Sequence, residues 1–145
     1  MAAALFKIRL MAEETEWQKW RVDSAGTWAE PGMPAVSQAQ QIMLRRGQDI
    51  SHHRSRLVSY ELLKRFLLIL TMEAGQAEAL RFEFQDLAGR IFMLSEMSGD
   101  QVDVRDPMGS NLAEFERTAE RIDTLIKDGL PRILELVRDN QLNVT

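Results

Sequence analysis

The sequence predicts an α/β fold in which a short parallel sheet carries helices on both faces. Two continuous apolar runs, residues 66–70 and residues 91–94, are typical of strands buried on both faces. Segments with helical periodicity alternate with these runs, which favours parallel strands joined by helical crossovers. The 145 residues are enough to bury a sizeable core, and we expect one domain over residues 1–145.

The first quarter of the chain is predicted to contain a helix, a strand and a loop. Residues 2–13 place apolar side chains on one helical face. Residues 20–25 alternate apolar and polar side chains, as a strand with one buried face does, and Gly26 ends them. Residues 28–36 contain two prolines and a glycine, so we expect a loop there.

Two further helices are predicted before the first apolar run. Ser37 and Gln40 fit a capping box that begins a helix, and Gly47 ends that helix. A polar, irregular stretch follows. Ser59 is then predicted to cap a short helix that runs to about Arg65.

The second half of the chain alternates strands and helices more clearly. A helical pattern over residues 77–87 lies between the two apolar runs, and Gly89 ends it. The longest helical pattern begins near Leu112. We expect Gly129 and Pro131 to interrupt it, because both residues disfavour a helix interior.

Composition excludes several classes of function. The net charge of −4 and the pI near 5.3 argue against nucleic acid as the main partner. No apolar run is long enough to span a bilayer, and Lys7 and Arg9 interrupt the first apolar stretch, so we expect neither a signal peptide nor a membrane partner but a cytoplasmic protein. The sequence contains no cysteine, which excludes disulfides, thiolate metal sites and a cysteine nucleophile within these residues.

Asp106 is the strongest candidate for a chemical role. Pro107 fixes its own backbone and pushes Asp106 out of the helical region, and Gly109 permits a tight turn. An aspartate on such a rigid corner can give or take a proton. The alternative is an ordinary surface turn, since Asp-Pro-x-Gly is common turn chemistry.

Other polar residues carry weaker signals. His52 and His53 are adjacent and point to opposite sides of an extended backbone, so a brace for a neighbouring loop is favoured over a zinc site. Asp103 and Asp106 lack a third metal ligand, and we predict no metal.

Two features concern the position and charge of the candidate site. The arginines at 45, 46, 54 and 56 are either solvated surface or an anion-attracting rim. Ser24, Met72 and the loop before Asp106 follow predicted strands, where ligands bind in open α/β sheets.

Four stretches of the sequence resemble the low-molecular-weight protein-tyrosine phosphatases, in that family's order and spacing. They are Trp20-Arg-Val-Asp-Ser-Ala-Gly-Thr27, Asp49-Ile-Ser-His-His53-Arg-Ser-Arg56, Leu67-Leu-Ile-Leu-Thr-Met72 and Asp106-Pro-Met-Gly109. The resemblance covers nearly the whole chain. It implies a three-layer α/β/α fold with a short parallel sheet.

The resemblance also implies a two-step phosphoryl transfer that needs no metal or cofactor. In the family, the thiolate of a Cys-x5-Arg loop attacks phosphorus, while the backbone N–H groups and the arginine of that loop hold the phosphate. The aspartate of the Asp-Pro pair protonates the leaving phenolate and then activates water. The implied substrate is a phosphorylated protein or a small aryl phosphate.

The family's roles transfer to five positions of this sequence. Asp106 matches the general acid and base, and Ser24 and His53 match residues that support the phosphate loop. Trp28 and Met108 match the walls of the aromatic substrate slot. The second wall is commonly tyrosine in the family, so Met108 is a departure that affects how the slot grips a phosphotyrosine ring.

A larger departure concerns the amino terminus. Residues 1–5, Met-Ala-Ala-Ala-Leu, resemble the family's Pro-Met-Ala-Glu-Ala stretch, which follows the phosphate loop. We therefore expect a sequence shortened at the amino terminus that lacks the central first strand, the nucleophile and the binding arginine. A general acid alone contributes about 10²–10⁴ in rate, against at least about 10⁶ for an enzyme, so we expect the chain to be inactive.

Loss of that central strand should also weaken the fold. Unpaired buried backbone groups cost about 1–3 kcal/mol each, against a domain stability of about 5–15 kcal/mol. We expect either poor folding or pairing of the exposed strand edges with each other or with a second chain.

Three hypotheses about function follow. The first is that the sequence is that of a functional tyrosine phosphatase without its amino-terminal part. The second is a noncatalytic relic or interaction module. The third is a member that acts on another oxyanion or phosphoamino acid, such as an arsenate reductase or a phosphoarginine phosphatase.

Overall fold

The computed structural model describes residues 1–144, which contain five α-helices and two short β-strands. The helices are α1 (Ala2–Glu13), α2 (Ser37–Arg45), α3 (Tyr60–Leu63), α4 (Ala74–Glu83) and α5 (Leu112–Val144), and the strands are β1 (Ile69–Thr71) and β2 (Ile91–Met93). Short 3₁₀ helices lie at Trp17–Lys19, Gln85–Arg90 and Ser95–Ser98. The described chain divides into two units. The first comprises Met1–Val58 and Asp106–Thr124, and the second Ser59–Arg105 and the residues from Leu125.

The first unit is built from helices. The buried side chains that it contains come from α1, α2 and the first part of α5: Leu5, Leu10, Ala39, Ile42, Met43, Phe115, Ala119 and Ile122. Two arginines tie the other helices to α5. Arg9 of α1 donates to both carboxylate oxygens of Asp123, at 2.9 and 3.0 Å, and Arg46 after α2 pairs with Glu116. The predicted helix over residues 2–13 is confirmed, since α1 spans the same residues.

The prediction of a strand over residues 20–25 is wrong. These residues join no ladder, and the nearest bridge is the single parallel one between Gly26 and Leu57. A strand requires a ladder of backbone hydrogen bonds, and the sheet formed by the described residues contains β1 and β2 but not this segment. Alternation of side chains along one segment does not ensure that a second strand lies beside it.

The second unit contains the parallel sheet. β1 and β2 pair with Ile69 opposite Ile91, so both apolar runs are confirmed as parallel strands, although each is shorter than its run. The connection between them carries α4, whose Arg81 guanidinium donates to the Ile91 carbonyl at 2.6 Å. Ser59 caps α3 as predicted, accepting the Leu62 N–H at 3.2 Å, but α3 ends at Leu63 rather than near Arg65.

The predicted interruption of the last helix is wrong, because α5 continues through Gly129 and Pro131 to Val144. A proline inside a helix removes one backbone hydrogen bond. Here the buried face extends past it through Leu130, Ile133 and Leu136, and we attribute the continuity to that packing. Tertiary burial thus outweighs the local preference.

The capping box predicted at Ser37 is also absent. The residue before α2 is Val36, and the Ser37 hydroxyl instead contacts Gln38. A capping box occurs at α4, where the side chains of Glu73 and Gln76 bond reciprocally to the backbone. None of the described helices combines the length and the apolar composition that a membrane crossing demands.

Candidate active site

Asp106 lies on a turn that its own side chain helps to shape. Its Oδ1 accepts the Met108 N–H at 2.9 Å, and the Ser110 N–H donates to the Pro107 carbonyl at 2.9 Å. Gly109 has φ of 82°, a conformation that favours glycine. The sequence prediction of a tight Asp-Pro corner is therefore confirmed at the level of local geometry.

The chain leading into this corner is held by the end of β1. The Val104 N–H donates to the Met72 carbonyl at 2.8 Å, and Val104 itself is buried. The Asp103 carboxylate accepts the Ala74 N–H at the start of α4, at 2.8 Å. These bonds fix the backbone just before Asp106, whose side chain is exposed.

Among the described residues, Asp106 makes no hydrogen bond to Ser24 or His53. Within residues 1–144, the geometry gives its side chain one hydrogen bond, from the N–H of Met108, the other corner residue of the predicted site. All five predicted site residues belong to the first unit: Ser24, Trp28, His53, Asp106 and Met108. An exposed carboxylate with one oxygen held by a backbone donor has its second oxygen available for a proton.

Ser24 follows an aspartate that organises its surroundings. The Asp23 carboxylate accepts the Ser24 N–H at 2.9 Å through Oδ1 and pairs with Arg56 at 2.9 Å through Oδ2. The Arg56 backbone carbonyl in turn accepts the Gly26 N–H at 3.0 Å. Ser24 is thus tied, through Asp23, to the segment that contains His53. The sequence interpretation missed Asp23, because nothing local links it to a residue so distant along the chain.

His53 lies in a locally cationic environment. Partial burial lowers the pKa of its imidazole below the ordinary value of 6.5, and the Met1 ammonium, Arg56 and Arg54 lower it further. The carboxylate of Asp23 opposes this effect. Burial also lowers the pKa of the Met1 ammonium. The Met1 ammonium is therefore one of the charges that act on His53.

Residues 26–34 and 54–58, which we call the clasp, are joined by backbone hydrogen bonds. Gly32 donates to the Ser55 carbonyl and Ser55 donates to the Met33 carbonyl, both at 2.8 Å. The Ser55 hydroxyl accepts the Met33 N–H at 2.9 Å and donates to the Glu30 carbonyl. Ser55 therefore bonds to three residues of the loop through backbone and hydroxyl together. No periodic signal in the sequence marked it.

Trp28 projects from the clasp with 97% of its surface exposed, and Met108 is 64% exposed. A large aromatic residue left so exposed is a feature of binding surfaces. The two side chains expected to wall the substrate slot are therefore both accessible. His52 is exposed, and within residues 1–144 no group of three or more His, Cys, Asp or Glu side chains could hold a metal ion.

Comparison with known proteins gives consistent matches along the chain. The family model described as low molecular weight phosphotyrosine protein phosphatase matches residues 1–141. A probable low molecular weight protein-tyrosine-phosphatase, EpsP of Ralstonia nicotianae, is 36% identical over 115 residues, which cover 79% of this chain and 78% of that protein. A protein-arginine-phosphatase of Geobacillus stearothermophilus is 27% identical over 127 residues, covering 87% and 81% of the two chains.

Solved structures agree with these matches. The crystal structure of the low molecular weight protein tyrosine phosphatase from T. tengcongensis superposes with a TM-score of 0.83 at 32% identity, covering 90% of this chain and 88% of that one. The predicted fold class, three-layer α/β/α with a short parallel sheet, is confirmed by this similarity. With a family match over residues 1–141, the chain belongs to the low molecular weight phosphotyrosine protein phosphatase family.

Proposed function

We propose that this protein serves the hydrolysis of phosphotyrosine monoesters in proteins, with Asp106 as the general acid and base of a cysteinyl-phosphate mechanism. The observation that carries the proposal is the corner geometry of Asp106, whose Oδ1 is held by the Met108 N–H at 2.9 Å. That bond orients the carboxyl group and leaves Oδ2 to carry the proton. A positioned acid of this kind contributes about 10²–10⁴ in rate.

In this proposal the carboxyl group of Asp106 acts in both steps of the reaction, first as an acid and then as a base. It first donates a proton to the phenolate oxygen as the bond from that oxygen to phosphorus breaks. The resulting carboxylate then takes a proton from the water that attacks the phosphoenzyme, which restores the acid. Exposure of Asp106 allows both the substrate oxygen and the water to reach it.

The remaining site residues have supporting roles in the proposal. Ser24 and His53 hydrogen-bond the phosphate-binding loop and hold its shape. Trp28 and Met108 are the two walls between which the substrate side chain enters, consistent with their exposure. The cationic surroundings of His53 suit an anionic substrate.

The nucleophile of this mechanism is not among the 145 residues, because they contain no cysteine. We therefore expect the 145-residue chain by itself to show no turnover of p-nitrophenyl phosphate. Measurable hydrolysis by the purified chain would contradict the cysteinyl-phosphate mechanism. The DNA upstream of Met1 provides a second check, since an in-frame strand followed by Cys-x5-Arg supports the proposal and an immediate stop codon opposes it.

The role of Asp106 can be tested in a chimera that carries a strand and Cys-x5-Arg loop from a tyrosine phosphatase of the family ahead of Met1. We expect the Asp106→Asn chimera to lose about 10²–10⁴ in kcat on p-nitrophenyl phosphate. Asp128→Asn, an exposed change on α5, is the matched control and should leave kcat unaltered. Equal kcat for the two variants would remove Asp106 from the mechanism.

Phosphoarginine is a second candidate substrate. The relative from Geobacillus stearothermophilus is named a protein-arginine-phosphatase, and Met108 stands where the family commonly has tyrosine. A flexible thioether wall has no ring to stack on the phenyl group of phosphotyrosine. Comparing kcat/KM of the chimera on phosphotyrosine and phosphoarginine peptides separates the two substrates.

A noncatalytic role and self-association are further proposals. An interaction module is the noncatalytic alternative, and it predicts partner binding without hydrolysis. β1 pairs with β2 along one edge only within the described residues, and an open edge can accept a second chain. Sedimentation velocity at increasing concentration tests this, and a monomer throughout would reject self-association.

A further inference from the structure

The methionines of this protein differ widely in their access to solvent. The chain has eight of them, and all eight lie within the described residues. Three are buried in the core: Met43, Met93 and Met97. Met108 is the most exposed of the eight, with 64% of its surface accessible, ahead of Met11 at 52% and Met33 at 49%. Because oxidation of a thioether requires access for the oxidant, the sulfur of Met108 is open to it.

Met108 differs from the other two exposed methionines in what its backbone holds. Its N–H donates to Asp106 Oδ1 at 2.9 Å, and a second backbone bond closes the turn that contains both residues. The Met33 N–H donates instead to the Ser55 hydroxyl, and Met11 lies on α1. An ordered turn therefore presents an accessible thioether beside the carboxyl group that we propose as the acid.

Oxidation by a peroxide changes the character of this side chain. A lone pair of the sulfur attacks one oxygen of hydrogen peroxide, so that the S–O bond forms as the O–O bond breaks. The proton left on the sulfur-bound oxygen passes to the departing hydroxide, which leaves as water. The sulfur loses two electrons and the peroxide gains them. The product is a sulfoxide, which is polar where the thioether was apolar.

The sulfoxide should act on substrate binding rather than on the acid. The bond from Met108 to Asp106 comes from a backbone N–H, which oxidation of the side chain leaves unchanged. The side chain itself is one wall of the proposed substrate slot. A sulfoxide group loses hydrogen bonds with water when an apolar substrate ring covers it, so its contact with that ring is weaker than that of the thioether.

We propose that Met108 is a reversible modification site, at which oxidation to the sulfoxide weakens the binding of substrate in the slot. This inference rests on the proposed function, because it takes Met108 as a wall of that slot. Enzymes that reduce methionine sulfoxide restore the thioether, and with it the apolar wall. The exposure of Met108 gives those enzymes access to it.

The modification can be measured without turnover, so that its failure is distinguishable from failure of the proposed function. The 145-residue protein is treated with hydrogen peroxide and digested with trypsin at intervals, and each methionine is followed by mass spectrometry. We expect Met108 to be oxidised as fast as it is in the chain unfolded in guanidinium chloride. Met43, Met93 and Met97 should be oxidised much more slowly than in the unfolded chain, which shows that the protein is folded. Protection of Met108 together with these three would contradict the proposal.

The effect on the slot can be measured in the chimera that carries a strand and a Cys-x5-Arg loop ahead of Met1. Peroxide also oxidises the cysteine of that loop, so dithiothreitol is added afterwards to return it to the thiol, while the sulfoxide stays in place. We expect KM for p-nitrophenyl phosphate to rise about threefold to tenfold, from the loss of apolar contact. The kcat, corrected for the thiol recovered, should be unchanged. Treatment with methionine sulfoxide reductases A and B should reverse the rise in KM.

Variants of the chimera assign the effect to one methionine. Peroxide should leave KM unchanged in Met108→Leu, which has no sulfur at this position, and should raise it in the matched control Met11→Leu as in the parent. Met108→Gln, which is polar and is not altered by peroxide, should have the raised KM without treatment. Circular dichroism of each variant checks that the fold is retained. An unchanged KM in the oxidised parent, or a rise that persists in Met108→Leu, would overturn the proposal.

Discussion

The paired strands β1 and β2 and residues 20–25 are ordered by different means. In the second unit, β1 and β2 pair in parallel with Ile69 opposite Ile91, and Ile91 is fully buried. In the first unit, residues 20–25 join no ladder, and the side chain of Asp23 bonds to Ser24 and Arg56 instead. Backbone pairing orders one region and side-chain bonding orders the other.

The difference shows where stability and function are expected to reside. A paired, buried strand contributes through apolar burial, which is large and insensitive to pH. A segment held by charged and hydroxyl side chains contributes less and responds to protonation. All five predicted site residues lie in the first unit, which contains the segment held by side chains: Ser24, Trp28, His53, Asp106 and Met108.

Removing a buried strand residue should have the largest effect. Ile91 is 0% exposed in β2, so we expect Ile91→Ala to lower the free energy of unfolding by about 2–5 kcal/mol. Val22→Ala, in the segment that joins no ladder, should cost less than about 1 kcal/mol, because Val22 is only half-buried. Chemical denaturation measures both, and similar losses would contradict the contrast between the two regions.

Adding a methyl group at Gly129 should have the next largest effect. A Cβ placed there would lie 2.5 Å from the Met97 Cβ and 3.1 Å from its carbonyl carbon. We expect Gly129→Ala to destabilise by about 1–3 kcal/mol, although alanine favours a helix. Gly75→Ala in α4 is the control, since nothing lies within 4 Å of its Cβ, and it should be neutral or stabilising. A stable Gly129→Ala protein would mean that α5 does not pack closely on Met97.

Truncating Ser55 should have a smaller, local effect. Ser55→Ala removes the hydroxyl that accepts the Met33 N–H and donates to the Glu30 carbonyl. We expect a loss of about 1 kcal/mol and faster hydrogen exchange at the Met33 amide. Ser37→Ala removes a hydroxyl that donates to the neighbouring Gln38 side chain, and it should leave Met33 exchange unchanged. Unaltered exchange in Ser55→Ala would show that the hydroxyl does not order the clasp.

The smallest expected effect is the pH response of His53. Its pKa is lowered in the folded protein, so the unfolded chain binds the proton more readily. The contribution of His53 to stability is therefore complete above the ordinary pKa of 6.5 and is lost as pH falls below it toward the folded value. We expect His53→Gln to flatten the fall in stability over that range.

The charge that acts on His53 can be tested separately. Acetylation of the Met1 amino group removes one of the cations that lower the pKa of His53. An NMR titration of the His53 ring should then give a higher pKa than in the unmodified protein. No change on acetylation would place the Met1 ammonium too far from His53 to act on it.

Several elements could be predicted because their cause is local. Three features depend on residues close together in sequence. They are the helical periodicity of residues 2–13, the Ser59 hydroxyl that caps α3, and the turn at Asp106 and Pro107. The strand at residues 20–25 and the break at Pro131 could not be predicted correctly. Whether residues 20–25 form a strand depends on a second strand lying beside them. Whether α5 breaks at Pro131 depends on how far apolar burial offsets the one backbone hydrogen bond that proline removes.

The sequence by itself determined the α/β class, the family resemblance and the corner that presents Asp106. Apolar runs, helical periods and the fixed φ of proline are properties of the chain, and they do not depend on distant residues. Only the tertiary structure decided that Asp23 joins Ser24 to Arg56, that Ser55 closes the clasp, and that α5 passes Pro131 unbroken. Each of these depends on which residues, remote in sequence, come within bonding distance, because burial and pairing energies exceed the local preferences they oppose.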